Sequence, residues 1–110
     1  MSKVLHLPEN YFASDHTRYI FLDGHFCQIM NDCYDSLQRQ LSLPVYFGRN
    51  LDALEEVLSD LEWVKEEKVK IIVAGVDQLL SGEPGKKHAF LDILNSSDNE
   101  KVEVVYLAHP

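Results

Sequence analysis

The sequence predicts an α/β fold in which a small three-stranded parallel sheet is packed by helices. Three short β-forming segments, Arg18–Asp23, Val69–Ala74 and Val102–Leu107, are spread along the chain. Between them lie segments whose apolar residues recur every three or four positions, the period of one helix face. The resulting order is strand, helix, helix, strand, helix, strand, and right-handed crossovers then place neighbouring strands in parallel.

Residues 1–17 show no clear period, are interrupted by Pro8 and Asn10, and read as an N-terminal arm ahead of a single domain over residues 18–110. The first strand, Arg18-Tyr19-Ile20-Phe21-Leu22-Asp23, ends at the turn signal Asp23-Gly24. From Phe26 onward, Phe26, Ile29, Met30, Cys33, Leu37 and Leu41 share one helical face, and Pro44 stops that helix because its nitrogen has no proton to donate. Asn50 is suited to cap a second helix, Leu51 to about Leu61, whose buried stripe is Leu51, Leu54, Val57, Leu58 and Leu61. The nearly continuous apolar run Val69–Ala74 suits a strand covered on both faces, which favours parallel pairing. Val76–Leu80 suit a short helix, Ser81–Gly85 a loop, and Lys86–Leu94 a further helix with Phe90, Leu91 and Leu94 turned inward. The β-branched segment Val102–Leu107 supplies the last strand.

The 110 residues, 45% hydrophobic and 25% charged, suit one compact soluble domain. The longest uncharged apolar stretch, Ile71–Val76, is far too short to cross a bilayer. The start Met1-Ser2-Lys3 is not followed by a secretory leader pattern, so a cytoplasmic location is expected. Cys27 and Cys33, read as lying in one helix, would be separated by about 9 Å of rise and face nearly opposite ways. They are therefore expected not to pair, which fits a reducing compartment, with Cys33 in the core and Cys27 nearer the edge of the stripe.

The net charge of −8 argues against nucleic acid as a direct partner, since phosphate binding needs clustered Lys and Arg, and favours a cationic partner instead. The charge is concentrated: residues 51–67 hold seven acids and one base, Lys65, so −6 of the −8 lies there. At 100° per residue, Asp52, Glu56 and Asp60 line up opposite the leucine stripe, with Glu55 and Ser59 beside them. Like charges four residues apart cost a helix roughly 0.2–0.5 kcal/mol per pair, and only Asp52 stands where the helix dipole favours an anion. By pattern alone the ridge suits either a solvated face or an external partner. Tyr46 and Phe47, just before Gly48, suit interface anchors, although Phe47 equally suits packing beneath the helix.

The stretch Leu43-Pro44-Val45-Tyr46-Phe47-Gly48-Arg49-Asn50-Leu51-Asp52-Ala53-Leu54 resembles the signature of the barstar family of ribonuclease inhibitors. The residue-level match is strong between Leu41 and Leu58, and the element order is similar from about Arg18 to Leu107. The resemblance implies a barstar-like fold and an inhibitor, serving as an immunity protein or antitoxin. Its loop and acidic helix would enter the active site of a cationic toxin nuclease and occupy phosphate positions. Carried over by position, Asp52 matches the family's helix aspartate, Glu56 stands where its dominant second aspartate would be and is one methylene longer, and Ser59 stands where a threonine is found; Tyr46, Phe47, Asn50 and Leu51 match contacting positions. Glu55 replaces an interfacial tryptophan and Asp60 a small residue, so the expected partner-binding set is Tyr46, Phe47, Asn50, Leu51, Asp52, Glu55, Glu56, Ser59 and Asp60.

The five histidines are scattered without His-Glu-x-x-His spacing, and no Cys-x-x-Cys, P-loop, Gly-x-Ser-x-Gly or Gly-x-Gly-x-x-Gly pattern is present. No enzyme, metal or cofactor is expected. Asp52 and Glu56 exposed on a helix have no burial to separate their pKa values, as an acid–base pair would need. The alternative of another class is an acidic adaptor that binds a non-nuclease cytoplasmic protein through the same face.

Overall fold

A computed structural model describes residues 16–96 and 98–107. The elements are β1 (Thr17–Asp23), α1 (Met30–Leu41), α2 (Leu51–Asp60), β2 (Lys68–Ala74), α3 (Pro84–Asn95) and β3 (Val102–Tyr106). The three strands form one parallel sheet in the order β1-β2-β3, with Ile20 opposite Ile71 and Ile71 opposite Val104. The α/β class and three-stranded parallel sheet predicted from sequence are therefore present. Most of the N-terminal arm lies outside the described residues, and Thr17, assigned to it, opens β1.

Both crossovers return the chain to the same sheet face. Ile20, Leu22, Val69, Ile71 and Val73 share one core with Leu37 and Leu41 of α1, Leu54 and Leu58 of α2, and Phe90 and Leu94 of α3. The other sheet face is lighter than the apolar run of β2 suggested. Ile72 is buried there, but its β1 neighbour Phe21 is 36% exposed. Lys70 stands between Tyr19 and Glu103, 5.9 Å from the tyrosine ring centroid and 3.8 Å from the glutamate.

The first helix begins four residues later than the spacing from Phe26 predicted. Residues 24–28 instead turn back on β1, with the amides of Phe26 and Cys27 donating to the Asp23 carbonyl. The Cys27 and Gln28 carbonyls accept from Leu80 and Gly82, so distant backbone has captured the groups that a helix would have used. Phe26 is 78% exposed and Ile29 40%, and neither lies on the core face assigned to it. Met30, at the start of α1, donates its amide to the Glu83 carboxylate at 2.7 Å, a cap supplied across 53 positions of sequence.

Ser42, left-handed at φ 54°, ends α1 before Pro44 is reached, and its N–H bonds the Gln38 carbonyl. The Trp63 indole N–H donates to the Leu41 carbonyl at 2.9 Å. Residues 76–80 form turns rather than the predicted short helix, while Leu79 and Leu80 are fully buried. The last helix starts at Pro84, inside the predicted loop, because a proline in the first helical turn sacrifices no hydrogen bond.

Candidate functional site

The site is built from α2 and the loop leading into it. Asn50 caps α2 as predicted: its Oδ1 accepts from the Ala53 amide at 2.8 Å, and its Nδ2 donates to the Gly48 carbonyl at 3.2 Å. Leu54, Leu58 and Leu61 are fully buried, with Leu51 and Val57 half-buried beside them. That stripe fixes the rotation of the helix and leaves Asp52, Glu55, Glu56, Ser59 and Asp60 exposed.

An acidic helix needs its C-terminal carbonyls satisfied, and α2 has no basic residue in its last turn. The donors come from the segment before β3. Asn99 Nδ2 reaches the Leu58 and Asp60 carbonyls at 3.2 and 3.3 Å, while Lys101 Nζ reaches those of Leu61 and Val64 at 3.2 and 2.6 Å. Positive charge is thus spent at the buried end of the helix, and the outer ridge is left uncompensated.

Elsewhere several acids, though not all, are paired with Lys or Arg: Glu66 with Arg18, Asp35 with Arg49, Glu83 with Lys86 and Glu103 with Lys70. Among the described residues none of Asp52, Glu55, Glu56 and Asp60 has a cation within 4.0 Å. These carboxylates flank two grooves. One lies between α2 and the end of α3, walled by Asp52, Glu55, Glu56 and Ser59 on one side and by Ile93, Ser96 and Asp98 on the other. The second lies between α2 and the preceding loop, where Glu56 and Asp60 face Tyr46 and Trp63. Glu56 borders both.

Each predicted contact can now be placed. Tyr46 is 83% exposed, as an anchor requires, and Val45 beside it is 96% exposed. Phe47 is only 7% exposed and meets Tyr34 edge-to-face, ring centroids 5.7 Å apart. The packing alternative is the one its burial fits: the ring holds the loop down on α1 while also lining the second groove. Asn50 is exposed but occupied in capping, Leu51 is half-buried, and the Ser59 hydroxyl donates back to the Glu55 carbonyl at 2.9 Å, leaving its oxygen lone pairs outward.

Sequence reasoning missed two residues that shape the candidate site. Asp98 joins the acidic groove from a loop 38 positions beyond Asp60, with no periodicity to signal it. Arg49 is the clamp of the loop. It adopts φ 51°, and its guanidinium bonds Gln38 Oε1 at 3.0 Å, the Asn31 carbonyl at 3.1 Å and Asp35 at 2.8 Å, lying 5.7 Å from the Tyr34 ring centroid. A single charged residue in the otherwise uncharged stretch 42–51 was the available signal. Arg49→Ala is expected to cost roughly 1 kcal/mol, at the low end for charged hydrogen bonds because the pair is partly solvated. It should also accelerate amide exchange selectively over residues 44–50. Urea denaturation and hydrogen exchange check these together, and unchanged exchange in the loop would remove Arg49 from the clamp role.

A family model described as Barstar (barnase inhibitor) matches residues 17–107. The chain belongs to the barstar family. No curated protein matches it. Members of the barstar family are inhibitors of barnase-type ribonucleases rather than enzymes, and the match spans all six elements of the fold. Among the described residues no helix is long and apolar enough to cross a membrane. Among the same residues there is no group of three or more His, Cys, Asp and Glu side chains able to hold a metal ion.

Proposed function

We propose that this barstar-family protein is the immunity protein, or antitoxin, of a cationic toxin ribonuclease of barnase type, acting in the cytoplasm by obstructing the enzyme's active site. The observation that carries the proposal is the uncompensated ridge Asp52–Glu55–Glu56–Asp60, displayed on a capped helix within the family-matched span. In the complex, Asp52 and Glu56 bond the Arg, Lys or protonated His side chains that would otherwise hold RNA phosphates. Tyr46 packs at the edge of the contact, Asn50 and Leu51 at the helix start, and Glu55, Ser59 and Asp60 extend the charged face. No conformational change of α2 is needed, because its cap and its C-terminal donors are already in place in the isolated chain. Opposed net charges also speed encounter, up to about 10⁸–10⁹ M⁻¹s⁻¹ at low salt.

Glu55 and Asp60 make this ridge more acidic than the family pattern, from which Glu56 also departs by one methylene, and favour an enzyme whose basic patch is larger than, or placed differently from, that of a barnase-type ribonuclease. Calorimetric titration against a catalytically inactivated barnase-type ribonuclease, and against any nuclease encoded next to this protein, tests the proposal. Tight binding that weakens as salt rises is expected for at least one of them. Absence of binding to both would overturn the inhibitor reading and favour an adaptor with another cationic partner.

A further inference from the structure

Cys27 and Cys33 were expected to face apart, on the premise that one helix holds both. That premise fails because α1 begins at Met30, leaving Cys27 in the preceding turn. There its amide donates to the Asp23 carbonyl at 3.0 Å and its own carbonyl accepts from Leu80 at 2.9 Å. The turn folds Cys27 back over the first turns of α1. Cys33 Sγ donates to the Cys27 carbonyl oxygen at 4.0 Å, and the two thiols are close enough that each shifts the other's titration. Both are free thiols at 3% and 0% exposure, within the same core cluster.

The pair is not sealed. Cys27 borders an open groove walled by Phe21, Phe26, Asp23 and Asp32, on the flank of the molecule formed by β1 and α1. Cys33 does not line it. The thiols are also chemically unequal. Hydrogen bonding by the Cys33 side chain holds the Cys27 pKa below the usual thiol value, against burial and the nearby Asp32 and Asp23 charges. The same interaction, with burial, pushes Cys33 up. The thiol nearer to solvent is therefore the better nucleophile, and the enclosed one stands in contact with it.

We propose that Cys27 and Cys33 form an oxidation-sensitive dithiol, which closes to an intramolecular disulfide when a hydroperoxide reaches Cys27 through this groove. The Cys27 thiolate attacks the peroxide; an S–O bond forms, the O–O bond breaks, and the departing alkoxide takes a proton and leaves as alcohol. Cys33 sulfur then attacks the Cys27 sulfenic acid, forming S–S and breaking S–O, and the hydroxyl leaves with the Cys33 proton as water. The two sulfurs together lose two electrons and the peroxide gains them. The product ties the turn after β1 to α1, the helix on which Arg49 clamps the partner-binding loop, but the chemistry requires no partner.

The test exposes the intact reduced protein to tert-butyl hydroperoxide, then alkylates it with iodoacetamide under denaturing conditions and weighs it. The expected product has lost two hydrogens, takes up no iodoacetamide, yields a peptide pair linked through Cys27 and Cys33, and regains two alkylatable thiols after dithiothreitol. In Cys33→Ser, Cys27 should accumulate as a dimedone-trappable sulfenic acid. A wild-type protein that keeps two alkylatable thiols would overturn the proposal. So would one that carries a sulfinic acid on one cysteine while the other stays free. Both readings come from the unmutated chain, so a variant that fails to fold cannot blur them.

Discussion

Asp52→Ala and Glu56→Ala are each expected to weaken binding to the cognate ribonuclease by about 2–5 kcal/mol, the cost of removing one partner from a buried, hydrogen-bonded charge pair. Much of that cost is the enzyme cation left desolvated and unpaired, so it arises only in the complex. In the free protein both side chains are exposed and have no cation within 4.0 Å among the described residues. Their removal should therefore hardly disturb the fold. Glu56→Ala relieves like-charge pairs with Asp52 and Asp60 and should be neutral or stabilising by a few tenths of a kcal/mol. Asp52→Ala gives up a favourable place in the first turn and should cost about 0.3–1 kcal/mol of stability. Calorimetry for affinity and urea denaturation for stability separate the two effects. If both variants bound as tightly as the parent, the ridge would not be the inhibitory surface.

The second large effect is on folding. Gly24→Ala is expected to destabilise the protein by about 3 kcal/mol or more, at or beyond the upper end for an overpacked site. A Cβ at Gly24 would stand 2.0 Å from the Gly75 carbonyl oxygen and 2.7 Å from the Leu79 nitrogen. Those atoms are backbone and cannot rotate away. They belong to the chain leaving β2, and Gly24 already donates its amide to the Ala74 carbonyl at 2.8 Å, so the two turns are locked face to face. Gly85→Ala is the matched control. No atom lies within 4 Å of its added methyl, and the residue is in the first turn of α3, so the substitution should stabilise by about 0.4–1 kcal/mol through the unfolded chain. Midpoints of urea denaturation for the two variants should move in opposite directions. A Gly24→Ala protein as stable as the parent would mean that the turns after β1 and β2 are not in contact.

Much of the site was legible because α2 is set by local rules. Asn50, the leucine spacing and the acids between the leucines are read within a dozen residues, and hydrogen bonds and exposure follow that reading closely. The start of α1 was not legible for the opposite reason. Phe26 and Ile29 have helical spacing, yet their segment is claimed by the Leu80 and Gly82 amides and by the Glu83 carboxylate, none of which is near in sequence. The same displacement reversed the reading of the cysteines, since a thiol in the turn can reach back to a helix that it does not belong to. Phe47 was ambiguous because an aromatic beside a glycine suits both surface and core; Tyr34, thirteen positions earlier, settles it by offering an edge to pack on.

By itself the sequence determined the class of fold, the order of the strands, the acidic face of α2 and the family, all of which rest on periodicity, capping and a contiguous motif. Only the tertiary structure decided which charges on that face go unpaired, that Asp98 joins them, that Arg49 holds the loop, and that Cys27 meets Cys33. Those outcomes depend on groups brought together from separate elements. Local pattern selects a helix and its face; what stands opposite that face is chosen by the crossovers that pack it against the sheet.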